Sequence, residues 1–251
     1  MKDKTFEELL ELEKNNDNEA RYVLARRYYY GNEIEQNYEK AFNLYLKASE
    51  NGNIDAKYMV AFCFYSGKGT NIDYNKAFEI FNDLAKENNA DDIQYMIAEC
   101  YYFGRGTELD YNKAYNILSY LTEKSSEENA RFLIAECYYY GRGTEYNPKL
   151  AFEIFNDLYE NNNNDIDYKY MVALCYFEGY GIKQDLEKAY NMFYELAFEF
   201  NDVDAKYRLG EIYLNGYGDN QNYSKAFEIY AELSKTDDNL GVANLNIGLM
   251  Y

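Results

Sequence analysis

The sequence predicts an all-α solenoid, a stack of six complete helix-turn-helix repeats. Three observations carry this reading. A glycine recurs at Gly31, Gly67, Gly104, Gly141, Gly179 and Gly216, at intervals of 36, 37, 37, 38 and 37 residues. A fixed period in that range marks supersecondary units that each bury an apolar face on their neighbours. Before each glycine the apolar residues recur three and four apart, which is the period of a helix and not of a strand. Six residues after each glycine stands an Asp or Asn, a residue type that starts helices by accepting from a free backbone amide.

With each first glycine as position zero, the eleven residues before it read as helix A, for example Ala56 to Ser66. Position −7 is aliphatic (Leu24, Val60, Ile97, Ile134, Val172, Leu209), and −6 is small (Ala25, Ala61, Ala98, Ala135, Ala173, Gly210), as a close helix contact demands. Position −3 is a ring: Tyr28, Phe64, Tyr101, Tyr138, Tyr176 and Tyr213. The glycine then ends helix A, because it takes the left-handed conformation that other residues resist. A second glycine two places on (Gly69, Gly106, Gly143, Gly181, Gly218) is expected to continue the turn, with Glu33 in its place in the first copy. Each Gly-x-Gly follows a helix and not a strand, so it reads as a turn and not a phosphate cradle. The caps Asn37, Asp73, Asp110, Asn147, Asp185 and Asn222 open helix B, and the only proline, Pro148, sits at a first helical position. Helix B carries rings at +11 (Phe42, Phe78, Tyr115, Phe152, Tyr190, Phe227) and a large apolar residue at +14 (Tyr45, Phe81, Leu118, Phe155, Phe193, Tyr230).

The ends are expected to be half-repeats. Thr5 to about Lys14 matches a lone helix B, opened by a Thr5-x-x-Glu8 capping box. At the other end Ala243, Leu245, Ile247, Gly248, Met250 and Tyr251 reproduce the start of a seventh helix A. Residues 1–251 are therefore expected to form one solenoid. Its expected parts are an N-terminal helix in 1–16, repeats at about 17–52, 53–89, 90–126, 127–164, 165–201 and 202–238, and a partial seventh at 239–251. The apolar end at Leu249, Met250 and Tyr251 suggests a segment of a longer array, or self-association through the partial repeat.

The Ala and Tyr of helix A, the Gly-x-Gly turn, the Asp/Asn cap and the following Lys-Ala (as in Lys76-Ala77 and Lys188-Ala189) resemble the Sel1-like repeat family, relatives of the tetratricopeptide repeats. Departures are Glu33 and the shifted Lys149-Leu150-Ala151 of the fourth copy. The resemblance implies a right-handed α-α superhelix that serves as a scaffold or adaptor, with helix A lining the concave side and no shared catalytic motif. Cysteine-rich secreted relatives, to which β-lactamase-like hydrolysis is attributed, give an alternative function. They pair two cysteines within a repeat, whereas this chain has one per repeat.

Cys63, Cys100, Cys137 and Cys175 share position −4. Stacked helices lie about 8–10 Å apart, too far for disulfides or for ligands to one zinc, so the cysteines are expected reduced and buried, with no metal site. The absence of histidine removes Ser-His-Asp, Cys-His and His-metal chemistry. No catalytic residues and no cofactor are expected. Glu19, Asp55, Asp92, Asp167 and Asp204 at −12 suit the positive end of a helix dipole. The run Asn161 to Asp167 lacks the glycine turn and distal Glu of a calcium loop and reads as an enlarged linker. A net charge of −19 argues against nucleic acid and anionic membranes as partners. The start of the chain lacks the apolar stretch of a secretory signal, and a cytoplasmic location is the expectation.

What remains is a protein or peptide partner on the face of helix A opposite its core. Position −8 reads Val23, Met59, Met96, Leu133, Met171 and Arg208; −5 adds Phe62 and Leu174; −1 adds Tyr30, Phe103 and Tyr140. Either Met59, Met96, Leu133 and Met171 line an exposed apolar groove, a recurrent mark of interaction sites, or tight curvature lets successive A helices cover them. The candidate binding residues are Tyr30, Met59, Phe62, Met96, Phe103, Leu133, Tyr140, Met171 and Leu174. Position −10 is basic in five copies (Arg21, Lys57, Arg131, Lys169, Lys206), either a line of contacts for an acidic peptide or a row paired with linker carboxylates.

Overall fold

The structure, a computed structural model, describes residues 4–125, 127–217 and 221–235. The chain divides into two compact units, Met1–Ser126 and Glu127–Tyr251. The first holds α1 (Phe6–Lys14), α2 (Asn18–Tyr30), α3 (Tyr38–Glu50), α4 (Ile54–Ser66), α5 (Tyr74–Glu87), α6 (Asp91–Phe103) and α7 (Tyr111–Lys124). The second holds α8 (Glu128–Tyr140), α9 (Pro148–Asn161), α10 (Ile166–Glu178), α11 (Leu186–Glu199), α12 (Val203–Asn215) and α13 (Tyr223–Leu233). No strand occurs among the described residues. Within each unit every helix packs against its neighbours in sequence, the pattern of a helical-repeat solenoid.

Local chemistry explains each boundary. All six expected helix-B caps accept from the amide three residues on, as Asp73 Oδ1 does from Lys76 N at 3.0 Å and Asn147 Oδ1 from Leu150 N at 3.2 Å. Helix A starts two residues earlier than the apolar pattern implies, because a second set of caps precedes it: Asp17, Asn53, Glu127, Asp165 and Asp202. The third copy has Ala90 there and no side-chain cap, but Lys124 reaches back to Asp91 at 2.5 Å. Glycines from Gly31 to Gly216 end the A helices in the left-handed conformation. The Thr5–Glu8 capping box is formed in both directions, at 2.7 and 3.2 Å. Phe6 of α1 meets Tyr28 edge-on at 5.8 Å, as Phe42 meets Phe64 at 5.3 Å, so α1 occupies the place of a helix B. The expected seventh helix A, from Ala243 onward, lies outside the described residues, as does Gly218.

The second glycine does more than continue the turn. A Cβ on Gly106 would lie 2.0 Å from the Tyr74 carbonyl oxygen, and one on Gly69 would lie 2.1 Å from that of Tyr38. This position is where the turn of one repeat touches the start of helix B in the repeat before. The residue between the glycines adds a second link. Lys68 lies over the rings of Tyr29 and Tyr38 at 5.4 and 5.5 Å, and Arg105 over Tyr65 and Tyr74 at 5.2 and 5.5 Å. In the second unit rings take this role, with Tyr180 on Tyr139 and Tyr217 on Phe177, both at 5.5 Å. The lysine of Lys-Ala covers the −3 ring of its own repeat, as Lys113 covers Tyr101 at 4.9 Å and Lys188 covers Tyr176 at 4.2 Å.

Candidate functional site

The −8 stripe does not form an exposed groove. Met96, Leu133 and Met171 are buried, as is Leu174 at −5. Met96 belongs to the core of the first unit with Phe81, Ile93 and Ile97, and Met171 and Leu174 to that of the second. In these copies the stacked helices close over the side chain at −8 and, for Leu174, at −5, so these four candidates are packing residues. The −10 row is committed to ion pairs within the chain. Its partners are helix-B carboxylates and not linker ones: Lys57–Glu87 at 3.7 Å, Arg131–Asp157 at 2.6 Å, Lys206–Glu232 at 2.7 Å, and Lys169–Glu195. Arg21 pairs instead with Glu13 of α1, at 3.3 Å.

The other candidates do reach solvent. Tyr30, Phe103 and Tyr140 are exposed, each resting edge-on against the buried ring before it (Tyr29, Tyr102, Tyr139) at 4.8 to 4.9 Å. Met59 and Phe62 are half-buried. In the first unit Tyr30 and Met59 come together in a groove of about 350 Å³ between α2, α4 and the start of α6. Tyr22, Arg26, Ile54, Asp55, Tyr58, Asn88, Ala90, Asp92 and Ile93 complete its lining. Tyr22 and Arg26 also line an adjoining hollow of about 370 Å³ with Glu19, Val23, Arg27, Asn32 and Glu33. Arg27 is committed there to Glu33 at 2.7 Å and to the Lys4 carbonyl at 2.6 Å. Arg26 is not: its guanidinium lies 6.0 Å from the Tyr22 ring and 5.8 Å from the Tyr30 ring.

Sequence reasoning passed over Tyr22, Tyr58 and Arg26. A signal for the first two existed, since position −9 is aromatic in every copy (Tyr22, Tyr58, Tyr95, Phe132, Tyr170, Tyr207). Those rings pack on the +14 residue of their own repeat, as Tyr58 does on Phe81 at 5.7 Å and Tyr170 on Phe193 at 5.7 Å. Arg26 had no periodic signal, because −5 varies from copy to copy. Burial shifts the ionisable groups below the surface. The thiols of Cys63, Cys100, Cys137 and Cys175, all free and inaccessible, are each pushed up to about 12 by desolvation. Burial raises the Glu99 carboxyl, against the opposing pull of Tyr65 and Arg105. Among the described residues no group of His, Cys, Asp or Glu has the arrangement to hold a metal, and no helix is long and apolar enough to cross a membrane.

Comparison with known proteins places this geometry. The Sel1 repeat family matches residues 18–53, 54–89, 92–120, 129–160, 167–197 and 203–234. Among solved structures, a Sel1 repeat protein from Oxalobacter formigenes aligns with a TM-score of 0.63 at 22% identity, over 88% of each chain. The protective antigen c5321 of uropathogenic Escherichia coli, which displays the same fold, aligns at 0.58 and 20% identity. That alignment takes in 93% of this chain and 56% of the antigen, so this chain spans little more than half its length. Yeast Tom70 aligns at 0.51 and 15% identity, over 96% of this chain and 49% of Tom70. No curated protein matches the sequence.

Proposed function

The chain belongs to the Sel1 repeat family, and we propose that it is a non-enzymatic interaction scaffold whose protein or peptide partner docks in the groove of the first unit. The observation that carries this is the groove itself: Tyr22, Tyr30, Tyr58, Met59 and Arg26 converge there. Tyr, Met and Arg are the residue types enriched in interface cores, and Tyr and Arg also lead among hot spots. Phe62 is half-buried with the Lys68 ammonium 6.0 Å from its ring, and Phe103 and Tyr140 are exposed rings, each on its own unit. The hydrolase alternative finds less support. A thiol held near 12 is protonated at neutral pH and is no nucleophile, and the chain has no histidine to activate one. Free buried thiols also agree with a cytoplasmic, reducing location.

The test is affinity capture with quantitative mass spectrometry on wild type, Met59→Glu and the control Glu79→Lys, an exposed residue outside the groove lining. A partner recovered by wild type and control but lost from Met59→Glu supports the reading. A partner retained by Met59→Glu refutes the groove as the docking site.

A further inference from the structure

We infer that the exposed face of α11, in the second unit, is a further docking surface. Its occupant is a cationic segment of a partner protein, whose arginine side chains lie on the rings of Tyr194 and Phe198. The surface lies wholly within the second unit, and its test is independent of the first unit's groove.

Three rings break the repeat at this helix. Position +15 holds Leu46, Asn82, Ser119, Asn156 and Ala231 in the other copies, and Tyr194 in the fifth. Position +19 is charged in the other five (Glu50, Lys86, Glu123, Glu160, Lys235) and is Phe198 here. Phe200, at the end of the same helix, stands where the other copies have Gly, Asn, Ser or Asp. Tyr194 is 46% exposed, Phe198 55% and Phe200 41%. They are not scattered singly. The Tyr194 ring lies 5.9 Å from Tyr190 and 4.7 Å from Phe198, so a ladder of rings runs along one side of α11. At about 1.5 Å per residue it covers about 12 Å of helix axis, enough for two turns of a partner helix. Contiguous exposed rings mark interaction surfaces. Packing within the chain does not require them, since other copies fold with Asn, Ala or a charge at the same places.

Charge indicates the occupant. The three exposed rings at −1 each have an arginine of this chain beside them: Arg26 at 5.8 Å from Tyr30, Arg105 at 4.6 Å from Phe103, and Arg142 at 4.4 Å from Tyr140. Among the described residues no cation lies on Tyr194 or Phe198. The one cation of α11, Lys188, is committed to Tyr176, donating to its hydroxyl at 2.7 Å. The acids of α11 are Glu187, Glu195 and Glu199. Glu195 pairs with Lys169, whereas Glu187 and Glu199 are exposed and form no ion pair among the described residues. Glu199 is the last residue of the helix, where the dipole disfavours an acid and favours a cation. Ring faces and unpaired carboxylates together attract a guanidinium, which stacks on one while it pairs with the other. A second copy is a poor occupant. A two-fold contact would set these acids against their own equivalents, in a chain of net charge −19.

The experiment follows fluorescence anisotropy of labelled, capped helical peptides that share one apolar frame and carry Arg, Gln or Glu at the remaining positions. Wild type is expected to bind the Arg peptide about tenfold more tightly than the Gln peptide, an advantage that falls with added salt. Tyr194→Asn and Phe198→Glu introduce residues that the repeat itself carries at these places, so both should remain folded by circular dichroism. Each should weaken the Arg peptide severalfold. Phe198→Glu is decisive in sign: it adds an acid, so attraction by net charge alone would tighten the Arg peptide, whereas loss of the ring weakens it. Unchanged or tighter Arg binding in either variant would overturn the inference. Equal binding of the Arg and Gln peptides, preference for Glu, or binding of none would overturn it too. Sedimentation velocity tests the remaining occupant: a wild-type dimer that Phe198→Glu dissociates would assign the face to a second copy and refute the cationic partner.

Discussion

Gly104 and Gly106 are two residues apart, share a left-handed backbone with φ of 66° and 72°, and should respond very differently to the same methyl group. An alanine Cβ at 104 would meet the Leu109 Cβ at 3.3 Å, a side-chain contact that yields by tenths of an ångström. Gly104→Ala should therefore cost little beyond the left-handed penalty of about 1–2 kcal/mol. At 106 the Cβ would lie 2.0 Å from the Tyr74 carbonyl oxygen and 2.5 Å from its carbon. Ordinary carbon–oxygen contact begins near 3.3 Å, so the start of α5 must retreat by about 1 Å, straining the turn that Asp73 caps. Overpacking adds about 1–3 kcal/mol to the same left-handed penalty, for a total of about 2–5. In a chain of this size about 1 kcal/mol moves the melting temperature by about 2–4 °C. Thermal melts followed by circular dichroism should place Gly106→Ala about 10 °C below wild type and Gly104→Ala only a few degrees below. Equal shifts would refute the conclusion that the second glycine sets the distance between repeats.

Met59→Glu should remain folded, while Met96→Glu, which forces a charge into the core, should lose at least about 3 kcal/mol; matching urea midpoints would contradict the burial difference at −8. The thiols give a pH dependence of definite sign. Their unfolded value is 9.0 and their folded value about 12. The folded chain thus keeps protons that the unfolded chain releases, so this stability is fully present below pH 9 and is lost as pH rises toward 12. Each thiol contributes a slope of about 1.4 kcal/mol per pH unit in that window. The four together should lower stability by about 5 kcal/mol between pH 8 and 10, on that same slope. A variant with all four cysteines changed to alanine should show a visibly shallower decline in melting temperature, and an identical decline would sink the assignment. Glu195→Ala leaves Lys169 buried without its carboxylate and should destabilise the second unit by about 1–3 kcal/mol, read in the same melts; no change would mean that Lys169 reaches water.

The sequence made the repeat legible because its signals are local and redundant. Period, glycine stop and Asp/Asn start all act within one turn of the residues that carry them, and Asp110 or Gly141 could be read without knowing what lay beside it. The outcome at −8 was not legible. Whether Met96 is exposed depends on how closely its repeat stacks on the one before, where Gly106 meets the Tyr74 carbonyl, a distance no periodicity encodes. The −10 row misled for a similar reason. Its charges pair across the two helices of a repeat, as Arg131 does with Asp157, and such a pair is spread over 26 residues of sequence. Tyr22 and Tyr58 were readable at −9 but were overshadowed by the apolar stripe beside them. Arg26 was not readable at all, because a single unrepeated residue has no pattern to stand out from.

That last point bears on where function resides in such a chain. Repetition is what specifies this fold, so residues that obey it are accounted for by packing: the cations at the turn and in Lys-Ala lie on rings, and those at −10 pair with helix-B acids. Departures from the repeat have no such account, and local rules are most often broken where function requires it. In the first copy four residues outside the repeat pattern fall together. Arg26 stands at −5, Arg27 takes the place of the cysteine at −4, Asn32 replaces the basic residue between the glycines, and Glu33 replaces the second glycine at a φ of 64°. Arg27 and Glu33 pair with each other, and Arg27 ties down the Lys4 carbonyl just before α1. Those two departures are therefore accounted for by local packing. Arg26 is the one of the four that carries charge without an ion-pair partner among the described residues, and it lies on the groove wall with Tyr22 and Tyr30. Exchanging it for glutamine should leave the melting temperature within about 1 °C of wild type, since an exposed, unpaired side chain contributes within about ±0.5 kcal/mol. Exchanging Arg27 for glutamine should lower it by several degrees. The opposite ranking would mean that Arg26, and not Arg27, holds the local packing of α2.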